Sequence, residues 1–129
     1  MATLDARIDL PPTARSVVAA RRVVRELLRT WGAPQDREDA ELLVTELVAN
    51  VVDHVGGEAS LALQVTFSDQ WLRIGVSDGS AIRPVVQELS GERTRGRGLQ
   101  MVASIAERWG VEDEPGGKSV WFELTPPLR

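Results

Sequence analysis

Between Leu61 and Val76 the chain alternates apolar and polar residues twice, with only Ser68-Asp69-Gln70 between the two runs. Leu61, Leu63, Val65 and Phe67 share one face of an extended segment, and Leu72, Ile74 and Val76 share one face of the next. So short a connection closes a hairpin, because a parallel crossover needs a dozen residues or more. The centre of the fold is therefore predicted to be antiparallel sheet with one apolar face.

Leu4, Ala6, Ile8 and Leu10 alternate in the same way and stop at Pro11-Pro12, which predicts an earlier strand. A helix is expected from about Thr13 to Trp31, its apolar residues (Val17, Ala20, Val24, Leu28) at helical spacing and its end marked by Gly32 and Pro34. Asp36 is a plausible N-cap for a second helix running to about Val55, where Gly56-Gly57 stops it. Residues 79–95 have no clean period and read as a loop, with one helical turn near Val85–Leu89. A third helix is expected from about Gly98 to Trp109, with Trp109 facing the core. A closing hairpin then has Val111 and Asp113 before Pro115-Gly116-Gly117 and Val120, Phe122 and Leu124 after it. The order β-α-α-β-β-loop-α-β-β does not alternate strand with helix. The expected class is α+β, a two-layer sandwich with a mostly antiparallel sheet and three helices on one face.

At 129 residues the chain suits one domain spanning 1–129. No apolar run approaches the roughly 18–20 residues that span a bilayer, so no membrane association is expected. The start of the chain has no signal-peptide pattern, and the protein is expected in the cytoplasm. A net charge of −4 argues against a large phosphate-neutralising surface for nucleic acid. With no Cys and one His, thiolate and transition-metal chemistry are disfavoured.

Three polar groupings interrupt the apolar pattern. Glu46 and Asn50, four apart on the second helix, stack on one face, with His54 continuing the row. An Asn oxygen suits magnesium that is already bound to phosphates, and a carboxylate one turn away could take a proton from an attacking hydroxyl. The same residues also suit an ordinary solvent-facing stripe. Asp78 continues the apolar row of Leu72, Ile74 and Val76, and an adenine amino group would satisfy it; Gly79 would admit a flat ring and Ser80 could contact it. A turn-opening Asx hydrogen bond is the plainer use of such an aspartate. Gly96-Arg97-Gly98, flanked by Arg95 and entering a helix, could offer backbone N–H groups to an anion, or could be a flexible entry loop. Walker A and dinucleotide patterns are both absent: Gly117-Lys118-Ser119 lacks the preceding Gly spacing, and no Gly stands at 101.

Glu46-Leu47-Val48-Ala49-Asn50 with His54, then Asp78-Gly79-Ser80, then Gly96-Arg97-Gly98-Leu99 resemble the N, G1 and G2 boxes of the histidine-kinase-like ATPase superfamily, with its Bergerat fold. The closing Gly-Gly-Lys-Ser-Val-Trp-Phe resembles the anti-sigma-factor serine kinase group within it. That resemblance implies ATP and Mg2+ as cofactors, Asn50 as the magnesium residue, Glu46 as the catalytic base and Asp78 as the reader of adenine. It also implies nucleotide contacts from Gly79, Ser80, Arg95, Gly96, Arg97, Gly98, Leu99, Lys118 and Ser119. The implied partners are a sigma factor and a STAS-domain anti-anti-sigma factor phosphorylated on serine, and the implied assembly is a homodimer.

The chain departs from the pattern twice. Its G1 box reads Asp-Gly-Ser rather than Asp-x-Gly, and Asp53 stands where many sensor kinases carry a cation, leaving Arg95, Arg97 or Lys118 to face phosphate. Arg15, Arg22, Arg25 and Arg29 line the first helix opposite its apolar stripe, either as a solvated face or as a dock for an acidic partner. Two functions stay open: a serine/threonine kinase that is also an anti-sigma factor, and a nucleotide-dependent partner switch without phosphotransfer.

Overall fold

The alternation that predicts a hairpin builds the middle of a five-stranded antiparallel sheet. The computed structural model describes residues 3–54, 60–78, 102–114 and 117–126. Strands β1 (Leu4–Leu10), β2 (Leu61–Ser68), β3 (Trp71–Asp78), β4 (Arg108–Glu114) and β5 (Gly117–Leu124) lie in the order β1-β2-β3-β5-β4. Ser68 pairs with Trp71, so the β2–β3 turn has two central residues, Asp69 and Gln70, both at positive φ (52° and 70°). That geometry matches the right-handed twist of the paired strands.

Helices α1 (Ala14–Trp31) and α2 (Arg37–His54) pack against each other and cover one face of the sheet. Gly32 ends α1 in the left-handed region at φ 65°, and the Ala33 N–H donates to the Leu28 carbonyl, closing the last turn. Asp36 caps α2: its Oδ1 accepts from the Asp39 N–H at 2.9 Å. The core joins Ala20, Val24 and Leu28 of α1 to Leu43, Leu47, Val48 and Val51 of α2. Beneath them lie Leu63, Val65, Ile74, Val76, Val120 and Phe122 of the sheet.

Register explains the burial. Rungs Ala6–Val65–Ile74–Phe122–Trp109 and Ile8–Leu63–Val76–Val120–Val111 run across the helix-covered face. The opposite face carries Gln64, Arg73, Gly75, Ser77, Ser119 and Trp121. Arg73 lies 4.1 Å over the Trp121 ring and pairs with Glu123 at 3.1 Å; Arg108 stacks on Trp71 and reaches the same Glu123 at 2.7 Å.

One boundary differs from expectation. Helix is present over 102–105, but from Arg108 the chain is strand, so Trp109 belongs to β4 and not to the third helix. Gly110 provides the reason: it lies under Trp121, where an added Cβ would come within 3.0 Å of the indole. A helix continuing through Trp109 would remove the strand that packs there. The expected loop at 79–95 lies outside the described residues, as does the turn at 115–116.

An ion pair ties the two long helices together. Arg25 donates through Nε and Nη2 to the two Glu41 oxygens at 3.1 and 2.9 Å. That hydrogen bonding holds the Glu41 carboxyl below its ordinary value. A depressed carboxylate contributes stability above its unfolded pKa, and that contribution is lost as pH falls through the folded pKa. Arg25→Met should therefore lower the urea midpoint at pH 7. The difference from wild type should shrink as pH falls below about 4.5, the ordinary Glu value; a gap independent of pH would contradict the linkage.

Candidate functional site

The last rung on the helix-covered face breaks the apolar rule. Beyond Ile8–Leu63–Val76–Val120–Val111 comes Leu10–Leu61–Asp78–Lys118–Asp113. Asp78 and Lys118 retain only 7% and 1% of their surface, and Lys118 Nζ lies 3.8 Å from Asp78 Oδ2. The period of two dictates this outcome, since 78 is in phase with 72, 74 and 76, and 118 with 120, 122 and 124. Burying either charge alone would cost several kcal/mol, so the two compensate each other.

Asn50 lies in the last turns of α2, the helix that packs over β3. It is 1% exposed, and among the described residues neither its Oδ1 nor its Nδ2 has a hydrogen-bond partner. Most buried polar groups are satisfied, so a carboxamide with both ends open points to a ligand. One turn earlier, Glu46 is half-buried and has no ion pair among the described residues. Together α2 and the end of β3 present an amide acceptor and donor, a carboxylate that can accept from an amino group, and a second carboxylate able to take a proton.

The expected site residues divide. Asn50 and Asp78 are buried where helix layer meets sheet, and the Lys118 ammonium lies 3.8 Å from the expected base-reading carboxylate. Ser119 does not join them. It is out of phase with Lys118 and Val120 and lines the opposite face with Ser77 and Trp121. Gly79, Ser80, Arg95, Gly96, Arg97, Gly98 and Leu99 lie outside the described residues, as does the side chain of His54.

On α1 the four expected docking arginines, Arg15, Arg22, Arg25 and Arg29, are all exposed. Arg25 is held by Glu41 and Arg29 pairs with Glu26, which leaves Arg15 and Arg22 as the unengaged part of that basic face among the described residues. The Asp78–Lys118 pairing and the place of Asp113 on the same rung were readable from strand parity, although no motif marks them.

A sequence model of the histidine kinase-like ATPase domain matches residues 10–124. The chain belongs to that family. Among solved structures, the RsbU and RsbW domains of Rv1364c from Mycobacterium tuberculosis superpose with a TM-score of 0.69 at 20% identity. The match covers 95% of this chain and 32% of the other, so the chain spans about a third of that protein's length. The catalytic domain of the histidine kinase ThkA matches with a TM-score of 0.61 at 14% identity, covering 98% of this chain and 97% of that one. The histidine kinase domain of a blue-light activated kinase from Erythrobacter litoralis gives 0.56 at 19%, covering 70% and 44%. No curated protein matches the sequence. No described helix is long and apolar enough to cross a membrane.

A residue kept for a ligand costs stability when the ligand is absent. Asn50→Leu fills the same position without orphaned polar atoms and should raise the stability of the free protein by about 1–3 kcal/mol. Urea unfolding without nucleotide checks it; a lower midpoint would contradict a buried, unsatisfied carboxamide.

Proposed function

We propose that the chain is an ATP-binding regulatory protein, an anti-sigma factor with serine/threonine-protein kinase activity toward a STAS-domain anti-anti-sigma antagonist. The observation that carries this reading is the buried, unsatisfied Asn50 carboxamide, one turn from Glu46 on a helix packed over the strand that ends in Asp78. The donor set fits a magnesium nucleotide: an uncharged oxygen for a hydrated ion and a carboxylate for an exocyclic amine. Magnesium, when bound, neutralises charge on the phosphates.

On this reading Asn50 supplies one oxygen to the ion and fixes its position. Asp78, held by Lys118, accepts from the adenine amino group and sets the register of the nucleotide. Glu46 takes the proton of the antagonist's serine hydroxyl as that oxygen forms the new bond to the terminal phosphorus. The phosphoanhydride bond breaks and ADP departs. The Gly96–Leu99 segment, with Arg95 and Arg97, supplies N–H groups and cations to the phosphates, as the sequence resemblance implies. Arg15 and Arg22 offer an acidic sigma-factor or antagonist surface its first electrostatic contact. This account implies a cytoplasmic protein acting as a homodimer.

A second reading, a nucleotide-binding partner switch without phosphotransfer, is favoured by Asp53, an acid three residues after Asn50. Both are tested by incubating the protein with Mg·ATP and a STAS-domain antagonist, comparing wild type with Glu46→Ala and Asn50→Ala. The kinase reading predicts phosphoserine on the antagonist, reduced at least a hundredfold by Glu46→Ala with ATP binding retained, and lost with Asn50→Ala. Saturable ATP binding without transfer would support the switch. No binding at millimolar ATP would overturn both.

A further inference from the structure

Strand β1 lies at the edge of the sheet: β2 flanks one side of it, and among the described residues no strand lies along the other. Its burial does not match its pattern. Leu4, Ala6, Ile8 and Leu10 stand opposite Phe67, Val65, Leu63 and Leu61 of β2 on the helix-covered face. Leu63 is fully buried, whereas Ile8 opposite it keeps 37% of its surface, as does Leu4. The helix layer therefore stops short of β1. An edge strand with an open row of backbone donors and acceptors and an uncovered apolar face is a template for another strand.

The opposite face of β1 says which strand fits. Asp5, Arg7 and Asp9 lie there, all exposed. Charges on an edge ordinarily discourage pairing, because an incoming strand seldom matches them. These alternate in sign, so a second copy running antiparallel does match them. With Ala6 opposite Ala6, Asp5 of each copy faces Arg7 of the other, Leu4 faces Ile8, and Asp9 faces the hydroxyl of Thr3. The neighbouring registers do less. Centring on Arg7 sets Arg7 against Arg7 and Asp5 against Asp9, which is like charge on like. Centring on Ile8 matches Arg7 with Asp9 but leaves Leu4 uncovered and brings Asp5 opposite Pro11, which has no N–H to give.

We propose that β1 is a self-pairing strand that joins a second copy of the chain in the antiparallel register centred on Ala6. The inference rests on the homodimer reading above and names its surface. The two-fold axis runs through Ala6, normal to the sheet, so the same patch serves both copies and both helix layers stay on one side. The two five-stranded sheets become continuous. Leu4 and Ile8 cover each other across the junction on the helix side, and Asp5 meets Arg7 on the open side. Strand β2 stands between the junction and β3, so pairing forms without Asp78.

Sedimentation velocity of the full chain over a concentration series, without nucleotide, tests the junction. Wild type is expected to form a reversible dimer. Arg7→Asp sets carboxylate against carboxylate at both symmetric contacts and should weaken that dimer at least tenfold. Arg7 is exposed, and so is its ion pair to Asp9 at 3.8 Å, so the urea midpoint should stay that of wild type. Asp5→Arg combined with Arg7→Asp exchanges the two charges and should restore the dimer to the wild-type level, although it gives up the hydrogen bonds that Asp5 accepts from Gln64 and Thr66. A dimer indifferent to Arg7→Asp, or one that the double exchange does not restore, overturns the β1 junction and leaves the homodimer reading standing. A monomer at every concentration overturns both and leaves the edge to a strand of a different protein.

Discussion

A strand that lends one face to a core must decide what to do where the core ends. In this protein the decision falls on a single rung. Every position of β3 in phase with Leu72 is buried, so Asp78 is buried with them, and a compensating cation offsets part of the cost. Lys118 occupies the paired position on β5 and supplies it. The register of the two central strands, the end of the core and the polar floor of the candidate site are thus one constraint. A slip of one residue would turn Asp78 and Lys118 to the open face and move Ser77 and Ser119 inward.

The same logic separates the two faces of the sheet. The covered face is closed by α1 and α2, whose relative placement is fixed by shared apolar burial and by the Arg25–Glu41 fork. The open face is held by stacked Arg–Trp pairs around Glu123. Two buried side-chain amides on the helix layer have unmet polar atoms, as does the Trp121 indole N–H on the open face. Asn50 has both amide ends unmet, and Gln35 has one. They lie on either end of α2, one in its last turns and one just before its cap.

Much of this was legible in the sequence, and the reasons differ by element. The hairpin at 61–78 and the bounds of α1 and α2 follow from strong periodicity between unambiguous stops: Pro11-Pro12, Gly32 and the Asp36 cap. The third helix ran too long because Val102, Ile105, Ala106 and Trp109 keep helical spacing, while Trp109 and Val111 also satisfy a strand. Local pattern could not choose between them; the packing of Trp121 on Gly110 did. Ser119 sits where strand parity puts it, on the face opposite Lys118. Gln35 gave no signal, since a lone polar residue in a turn is buried only because three distant segments meet around it.

The central claim is that the end of β3 reads a purine by its exocyclic group. Calorimetric titration with Mg·ATP and with Mg·GTP tests it directly, because on the proposed reading the Asp78 carboxylate would accept from the amino group of adenine and would face the carbonyl oxygen of guanine. The account predicts saturable ATP binding at least tenfold tighter than GTP, with the preference abolished in Asp78→Asn. Equal affinities for the two nucleotides, or a preference that survives Asp78→Asn, would contradict it.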